Sequence, residues 1–376
     1  MINFDYASHT PSDERVLAEF CRVEREFAGN VLAAHGAGRA AGLEMARVTN
    51  GIAELLGAQP HEIIFTSGAS EANNLAIKGI AKAYRHVGRH ILSTCLEHPS
   101  VSGTLAALQT AGCEIELLRI LPDGKIDLEH LQTAIRRDTV LICVSAVDSE
   151  LGAVQPVAQI LELLKEYPHC HLHMDAAQAV GKVPCFYPQS RPSTFCFSPH
   201  KFYGLCGVGV LVKREDVVLE PLFHGGAGTT IYRSGTPALS LAASAYKALE
   251  IALSELDSRL ETVWHLRQHT VDGLLCTGAN IRINSPPDAS PYILNISVPG
   301  IKGTDFQAAL DSRGICVSVK SACSTDNAPS RAVMAVSRDK KIATSSWRIS
   351  FSHFQPVGES DQLISAIEEI ISSFRA

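Results

Sequence analysis

Residues 197–212 read FSPHKFYGLCGVGVLV. Lys201 stands there between a histidine and an aromatic, in a glycine-rich turn with small and apolar neighbours on both sides. Such surroundings disfavour an ammonium, because burial penalises the charged form. A lysine desolvated in this way loses basicity, and its free amine is nucleophilic toward aldehydes. The turn joins two short apolar runs, Ser193–Ser198 and Val208–Lys213, that read as strands. Their close succession through glycine predicts that the second runs antiparallel to the first.

Upstream, five more runs read as strands: Glu62–Thr66, His90–Thr94, Glu114–Arg119, Thr139–Ser145 and Cys170–Asp175. Helical patterns lie between several of them. One places Ala72, Leu75, Ala76, Gly79, Ile80 and Ala83 on a single face, and another carries Val157, Ile160, Leu161 and Leu164. Strands alternating with helices predict a mostly parallel sheet covered on both faces. After about Leu256 the character changes. A polar helix over Ser258–Asp272 leads to shorter strands at Tyr292–Val298, Gly314–Val319 and Ser346–Phe351, then a helical tail. This second part reads as a smaller α+β domain, with Asn284–Pro291 as a surface loop.

Bulk properties narrow the function. The 376 residues are 46% hydrophobic and 19% charged, enough for a large core in one or two domains. A net charge of −6 without a basic run argues against direct nucleic-acid binding. Eleven cysteines, scattered and without a C-x-x-C pair, suit reduced thiols better than a disulfide framework. The opening MINFDYASHTPSDER has neither a basic nor an apolar leader region, and no apolar run reaches the ~18 residues needed to span a bilayer. The expectation is a soluble, cytoplasmic protein.

The chemistry gathers at strand ends, where ligands of open α/β sheets bind. Ser67-Gly68-Ala69-Ser70 follows the strand Glu62–Thr66 and opens a helix, offering free N–H groups and the positive dipole end to an anion. It is equally an ordinary Ser-capped helix start, and no Walker lysine follows. Asp175 ends a strand and could hold a protonated ring nitrogen or cap a helix. His171, His173 and Asp175 share one strand face, but no further ligands stand at metal spacing, so no metal is expected. Ser198 and His200 flank the turn lysine and suit a phosphate. An anion cradle, a strand-end aspartate and a turn lysine together describe a site for pyridoxal 5′-phosphate, with Lys201 as the Schiff-base amine.

With these elements in view, the chain resembles the cysteine desulfurases, class V enzymes of pyridoxal-phosphate fold-type I, nearly from end to end. Phe4-Asp5-Tyr6-Ala7 resembles their opening, and Gly29-Asn30 with His35 and Gly38 their substrate-side loop. The run from Phe65 to Asn74, FTSGASEANN, is similar to their phosphate-binding turn, and Glu97-His98 carries the histidine that stacks on the ring and moves protons. Asp175-Ala176-Ala177-Gln178 and Ser198-Pro199-His200-Lys201 resemble the ring-nitrogen, O3′ and Schiff-base elements. Arg233-Ser234-Gly235-Thr236 resembles the stretch reaching the phosphate of a partner subunit, which implies a homodimer. Arg348, in Trp347-Arg348-Ile349-Ser350, matches the arginine that takes the substrate carboxylate, a task suited to its bidentate fork. Cys323, in a small and polar run, stands where the family carries its sulfur-accepting nucleophile.

The resemblance implies a large cofactor domain, residues 12–256, built on a mostly parallel seven-stranded sheet, and a small α+β domain from residues 1–11 and 257–376. It implies catalysis by Lys201, His98 and Cys323. Cofactor contacts fall to Ala69, Ser70, His98, Ser149, Asp175, Gln178, Ser198, His200, Lys201 and Thr236, and substrate contacts to Asn30 and Arg348. The implied reaction takes L-cysteine to alanine, leaves a persulfide on Cys323 and passes the sulfur to an acceptor protein, as in Fe–S assembly or tRNA thiolation. Four stretches depart from the family pattern: Asp148-Ser149-Glu150 for Asn-Asn-Glu, Leu205-Cys206 for Pro-Lys, Ala227-Gly228-Thr229 for Gly-Gln-Glu, and a loop after Cys323 shorter by one residue. Cys206, close to Lys201, is a rival thiol. Two other readings stay open: a class V lyase acting on selenocysteine or another amino acid, and a weakly active scaffold that binds partners.

Overall fold

The computed structural model describes residues 1–184, 191–226, 228–320 and 328–375. Its strands are β1 (Ile2–Asn3), β2 (Ile63–Thr66), β3 (His90–Ser93), β4 (Glu114–Leu117), β5 (Thr139–Ser145), β6 (His171–Asp175), β7 (Thr194–Phe197), β8 (Gly209–Lys213), β9 (Arg282–Ile283), β10 (Ile293–Ser297), β11 (Ile315–Cys316) and β12 (Ser346–Ser350). A seven-stranded sheet has the order β2-β8-β7-β6-β5-β3-β4. As the glycine turn predicted, β8 is antiparallel to both neighbours, and the other strands share one direction.

Both faces of this sheet are buried, which explains its uninterrupted apolar runs. Strand alternation splits β5: Ile142 and Val144 enter one core, Leu141 and Cys143 the other. The helix Ala69–Ala83 lays the expected stripe of Ala72, Leu75, Ala76 and Ile80 against the second of these cores. At the β2–β8 pair the backbones approach closely. A Cβ at Gly209 would come within 2.5 Å of the Gly68 carbonyl carbon, so only glycine lets β8 pass beside the Ser67-Gly68 turn.

A further core gathers Phe4, Val263, Phe306, Trp347, Ile349 and Ile367 around the antiparallel strands β12-β10-β9. Phe306 and Trp347 stack there with ring centroids 5.0 Å apart. The polar helix runs Leu256–Cys276, longer at both ends than the spacing predicted. The expected strand Gly314–Val319 shrinks to Ile315–Cys316 and pairs with β1. After it, Ser318 makes a single bridge to Arg348, so this run changes partner instead of extending the sheet.

The parallel strands β2, β3, β5, β6 and β7 all end on the same side. Their exits carry Ser67, His98, Ser149, Asp175 and Lys201 toward one place.

Candidate active site

A cavity of about 340 Å³ opens at that edge. Its walls include Ala69, Ser70, His98, Ser149, Asp175, Gln178, Ser198, His200, Lys201 and Arg348. These are most of the residues the sequence singled out, drawn from strands far apart in the chain.

At one end lies the start of the helix Ala69–Ala83. It has no side-chain cap of its own, and the Ala69 N–H donates instead to Ser198 Oγ at 2.7 Å, across from the end of β7. Ser67 N–H donates to Glu71 Oε2 at 2.7 Å, and Arg233 Nε holds the other oxygen at 3.1 Å. The helix dipole therefore points its positive end at the cavity, with Ser70 on the wall.

Asp175 sits opposite. Its Oδ1 accepts the Ala177 N–H at 3.0 Å and its Oδ2 accepts Asn73 Nδ2 at 2.8 Å. Facing a carboxylate fixes which way the Asn73 amide points. Nδ2 also donates to Ser100 Oγ, and Oδ1 accepts from His173 Nε2 at 2.8 Å and from Cys196 Sγ at 2.9 Å. His173 is thus the Nε2–H tautomer, with Nδ1 on Thr194 Oγ1 at 2.8 Å, and burial pushes its pKa down to about 4. Sequence reasoning passed over Asn73. Its signal was a polar residue among the apolar positions of a buried helix face.

His98 caps the helix Pro99–Thr110 and accepts the Ser100 N–H on Nδ1 at 3.1 Å, leaving the proton of the neutral ring on Nε2. Burial lowers its pKa; Asp175 opposes that shift and Lys201 adds to it. The preceding Glu97 is buried between Thr94 Oγ1 at 2.8 Å and Ser145 Oγ at 2.7 Å, and desolvation raises its carboxyl to about 7. A carboxyl raised on folding stabilises most at low pH, and that stability drains away as pH rises from the unfolded pKa through 7. Glu97→Gln is therefore expected to unfold about 2 kcal/mol less readily than the parent at pH 8 and about equally at pH 4.5, which urea unfolding at both pH values checks.

Lys201 lies on a short 3-10 turn, Pro199–Lys201, with Nζ donating to the carbonyls of Ala7 at 2.9 Å and Ser8 at 2.7 Å. Two residues on, Tyr203 holds a left-handed φ of 71°. Tyr203 N–H on Thr10 Oγ1 at 2.7 Å and its hydroxyl paired with Ser352 Oγ at 2.7 Å hold it there. His200 stacks on His9 with centroids 5.4 Å apart, and burial pushes its pKa down to about 4.

The Arg348 guanidinium is buried. Nη1 donates to the Ser149 carbonyl at 2.7 Å, while Nη2 donates to Asp5 Oδ1 at 2.7 Å and Ser8 Oγ at 2.9 Å. Nε has no partner among the described residues. An orphaned buried donor beside a cavity is costly unless a ligand oxygen meets it. Ser149 thus serves the arginine through its backbone. Asp148 beside it is buried without a cation of its own, and desolvation, then Glu150, raises its carboxyl to about 7.

Two expected residues fall elsewhere, and a third is not among those described. Thr236 lines a separate hollow with Arg233 and Gly235. Asn30 is exposed and its Oδ1 accepts the Leu32 N–H at 3.0 Å, an Asx turn that keeps it out of this chain's cavity. Cys323 lies outside the described residues, as do Ala227 and the rest of 321–327. The rival Cys206 lines the cavity and is exposed.

Residues 2–363 match the family model of the aminotransferase class-V proteins. A NifS/IcsS protein homolog of Lactobacillus delbrueckii subsp. bulgaricus is 35% identical over 381 residues, spanning 100% of this chain and 98% of that protein. The cysteine desulfurase IscS of Pseudoalteromonas translucida is 34% identical over 381 residues, spanning 100% and 93%. A solved structure described as a NifS-like protein superposes with a TM-score of 0.92 at 34% identity, over 99% of each chain. With the match running across all three cores and every wall of the cavity, the chain belongs to the aminotransferase class-V family.

Proposed function

We propose that this protein is a pyridoxal-phosphate-dependent L-cysteine desulfurase that passes sulfur to an acceptor protein. The observation that carries the reading is the convergence of an amine, Lys201, a carboxylate, Asp175, a helix start without a side-chain cap, and the Arg348 guanidinium on one cavity. Names borne by relatives of about a third identity, cysteine desulfurase among them, support it.

The residues fit pyridoxal 5′-phosphate. Ala69, Ser70, Ser198 and His200 would hold its phosphate, Asp175 its ring nitrogen, Gln178 its phenolic oxygen and Lys201 its aldehyde carbon. When bound, the group supplies an electron sink for bond cleavage at the substrate α-carbon. The protein's own part is positional. Asn73 and the Ala177 N–H keep Asp175 aimed. Neutral His98 and the Lys201 amine are the proton carriers on the cavity wall. Arg348 would take the substrate carboxylate. Cys323 is the thiolate whose sulfur attacks the substrate sulfur, forming an S–S bond as the substrate C–S bond breaks and alanine leaves.

The same reading makes residues 12–256 the cofactor domain, with 1–11 and 257–376 as a smaller one; the core shared by Phe4 and the residues from Val263 onward supports that division. It makes the protein a homodimer, with Thr236 serving the partner's phosphate, and places it in the cytoplasm. Among the described residues no helix is long and apolar enough to cross a membrane.

Purified protein given L-cysteine and a thiol reductant should release alanine and sulfide one for one. Failure to do so with pyridoxal phosphate bound, or faster turnover of another amino acid, sinks the proposal. Arg348→Gln is expected to lower kcat/KM for cysteine by about a hundredfold, mostly through KM, since it removes the carboxylate donor and leaves Asp5 unpaired. Initial rates across cysteine concentrations check this.

A further inference from the structure

Lys182 is almost fully buried, in the turn that follows β6. A buried ammonium ordinarily has a carboxylate beside it. Among the described residues this one has none. Nζ donates to Gln178 Oε1 at 2.9 Å and lies 5.7 Å from the ring centroid of Tyr292. The bond to Lys182 turns the Gln178 amide so that Nε2 donates to the Ala7 carbonyl at 2.9 Å. That carbonyl is the one on which Lys201 Nζ rests.

We propose that Lys182 is a positioning residue for Lys201: through Gln178 it fixes the carbonyl that holds the reactive amine. The inference rests on the reading of Lys201 as the cofactor-binding amine. The charged and titratable groups facing Lys182 are Lys201 and His200 on the 3-10 turn, Arg348 on β12 and Tyr292 ahead of β10. Lys201 shares the cavity further with His98 and Asp175. Asp5 is engaged by Arg348 and Asp175 by Asn73, so neither is paired with Lys182. Burial, with Lys201 and then Arg348 adding to it, holds the Lys182 ammonium well below the ordinary lysine range. Lys182 does not line the cavity, so it acts on the Lys201 amine through Gln178 and the Ala7 carbonyl.

The test compares the parent with Lys182→Met, which keeps volume and removes the amine, and Lys182→Arg, which keeps the charge. Two titrations are read: the pH midpoint of the visible absorbance of pyridoxal-phosphate-loaded protein, and the pH midpoint of Lys201 labelling by trinitrobenzenesulfonate in protein stripped of the cofactor, followed by peptide mapping. Lys182→Met is expected to raise both midpoints by about one pH unit, because the Gln178 amide is then free to turn and leaves the Ala7 carbonyl to the Lys201 ammonium alone, and Lys182→Arg to leave them near the parent. Unchanged midpoints in folded Lys182→Met overturn the proposal. If that variant does not fold, Gln178→Leu removes the same donor from the Ala7 carbonyl without adding a charge and should move the labelling midpoint upward too; no movement overturns the proposal equally. A parent protein with no visible band at all sinks the cofactor reading instead, and the labelling midpoints still decide the role of Lys182.

Discussion

Lys201→Ala protein is expected to show no pyridoxyl adduct after borohydride reduction and peptide mapping, and to lose turnover of cysteine by at least about a thousandfold. The parent should carry that adduct at position 201 and nowhere else. The size of the effect follows from the double duty of one amine. On the proposed reading it is both the covalent anchor for the cofactor and a base within reach of the substrate. The other nearby amine, Lys182, is buried and committed to Gln178, so it cannot stand in as the anchor. Of the carbonyls that receive Nζ, that of Ala7 keeps Gln178 Nε2 and that of Ser8 loses a donor, so the substitution should leave the fold intact. An adduct mapped to any other lysine would overthrow the assignment.

Cys323→Ala is expected to retain the visible band and the binding of cysteine while losing sulfide and persulfide production by about three orders of magnitude. On the proposed reading the substitution removes the atom that accepts sulfur and none of the residues assigned to the cofactor. Cys206 makes the experiment decisive, since its thiol is exposed and lines the cavity. If sulfur transfer survives Cys323→Ala and disappears in Cys206→Ala, the nucleophile has been misassigned. If it survives both, the chemistry needs no cysteine, and the protein is a lyase of another kind.

The legible part of this protein is the part governed by local rules. A parallel sheet buried on both faces announces itself as apolar runs, and β2 through β8 were read from them with ends displaced by a residue or two. The reversed direction of β8 was legible because a strand that returns within a short glycine turn has little choice. Lys201, Asp175 and Ser198 were legible because polar groups at the ends of apolar strands are out of place without a task, whereas Arg348, in the middle of β12, was marked only by the family resemblance. Asn73 and Lys182 were missed for the opposite reason. Asn73 meets Asp175 across 102 positions, and Lys182 reaches Lys201 only through Gln178 and a carbonyl 171 positions from that glutamine. The left-handed backbone at Tyr203 was equally invisible, since a tyrosine carries no sign of the strain its neighbours impose. The run around Ile315 looked like a full strand by composition, and only the competing edges of β1 and β12 cut it short.

The bond between Asp5 and Arg348 joins residues 343 positions apart. A nascent chain therefore cannot finish this end of the cavity until almost all of it has left the ribosome, although the seven-stranded sheet, complete at Lys213, can assemble much earlier. Truncations near the carboxyl terminus should then yield coloured protein that does not recognise its amino acid.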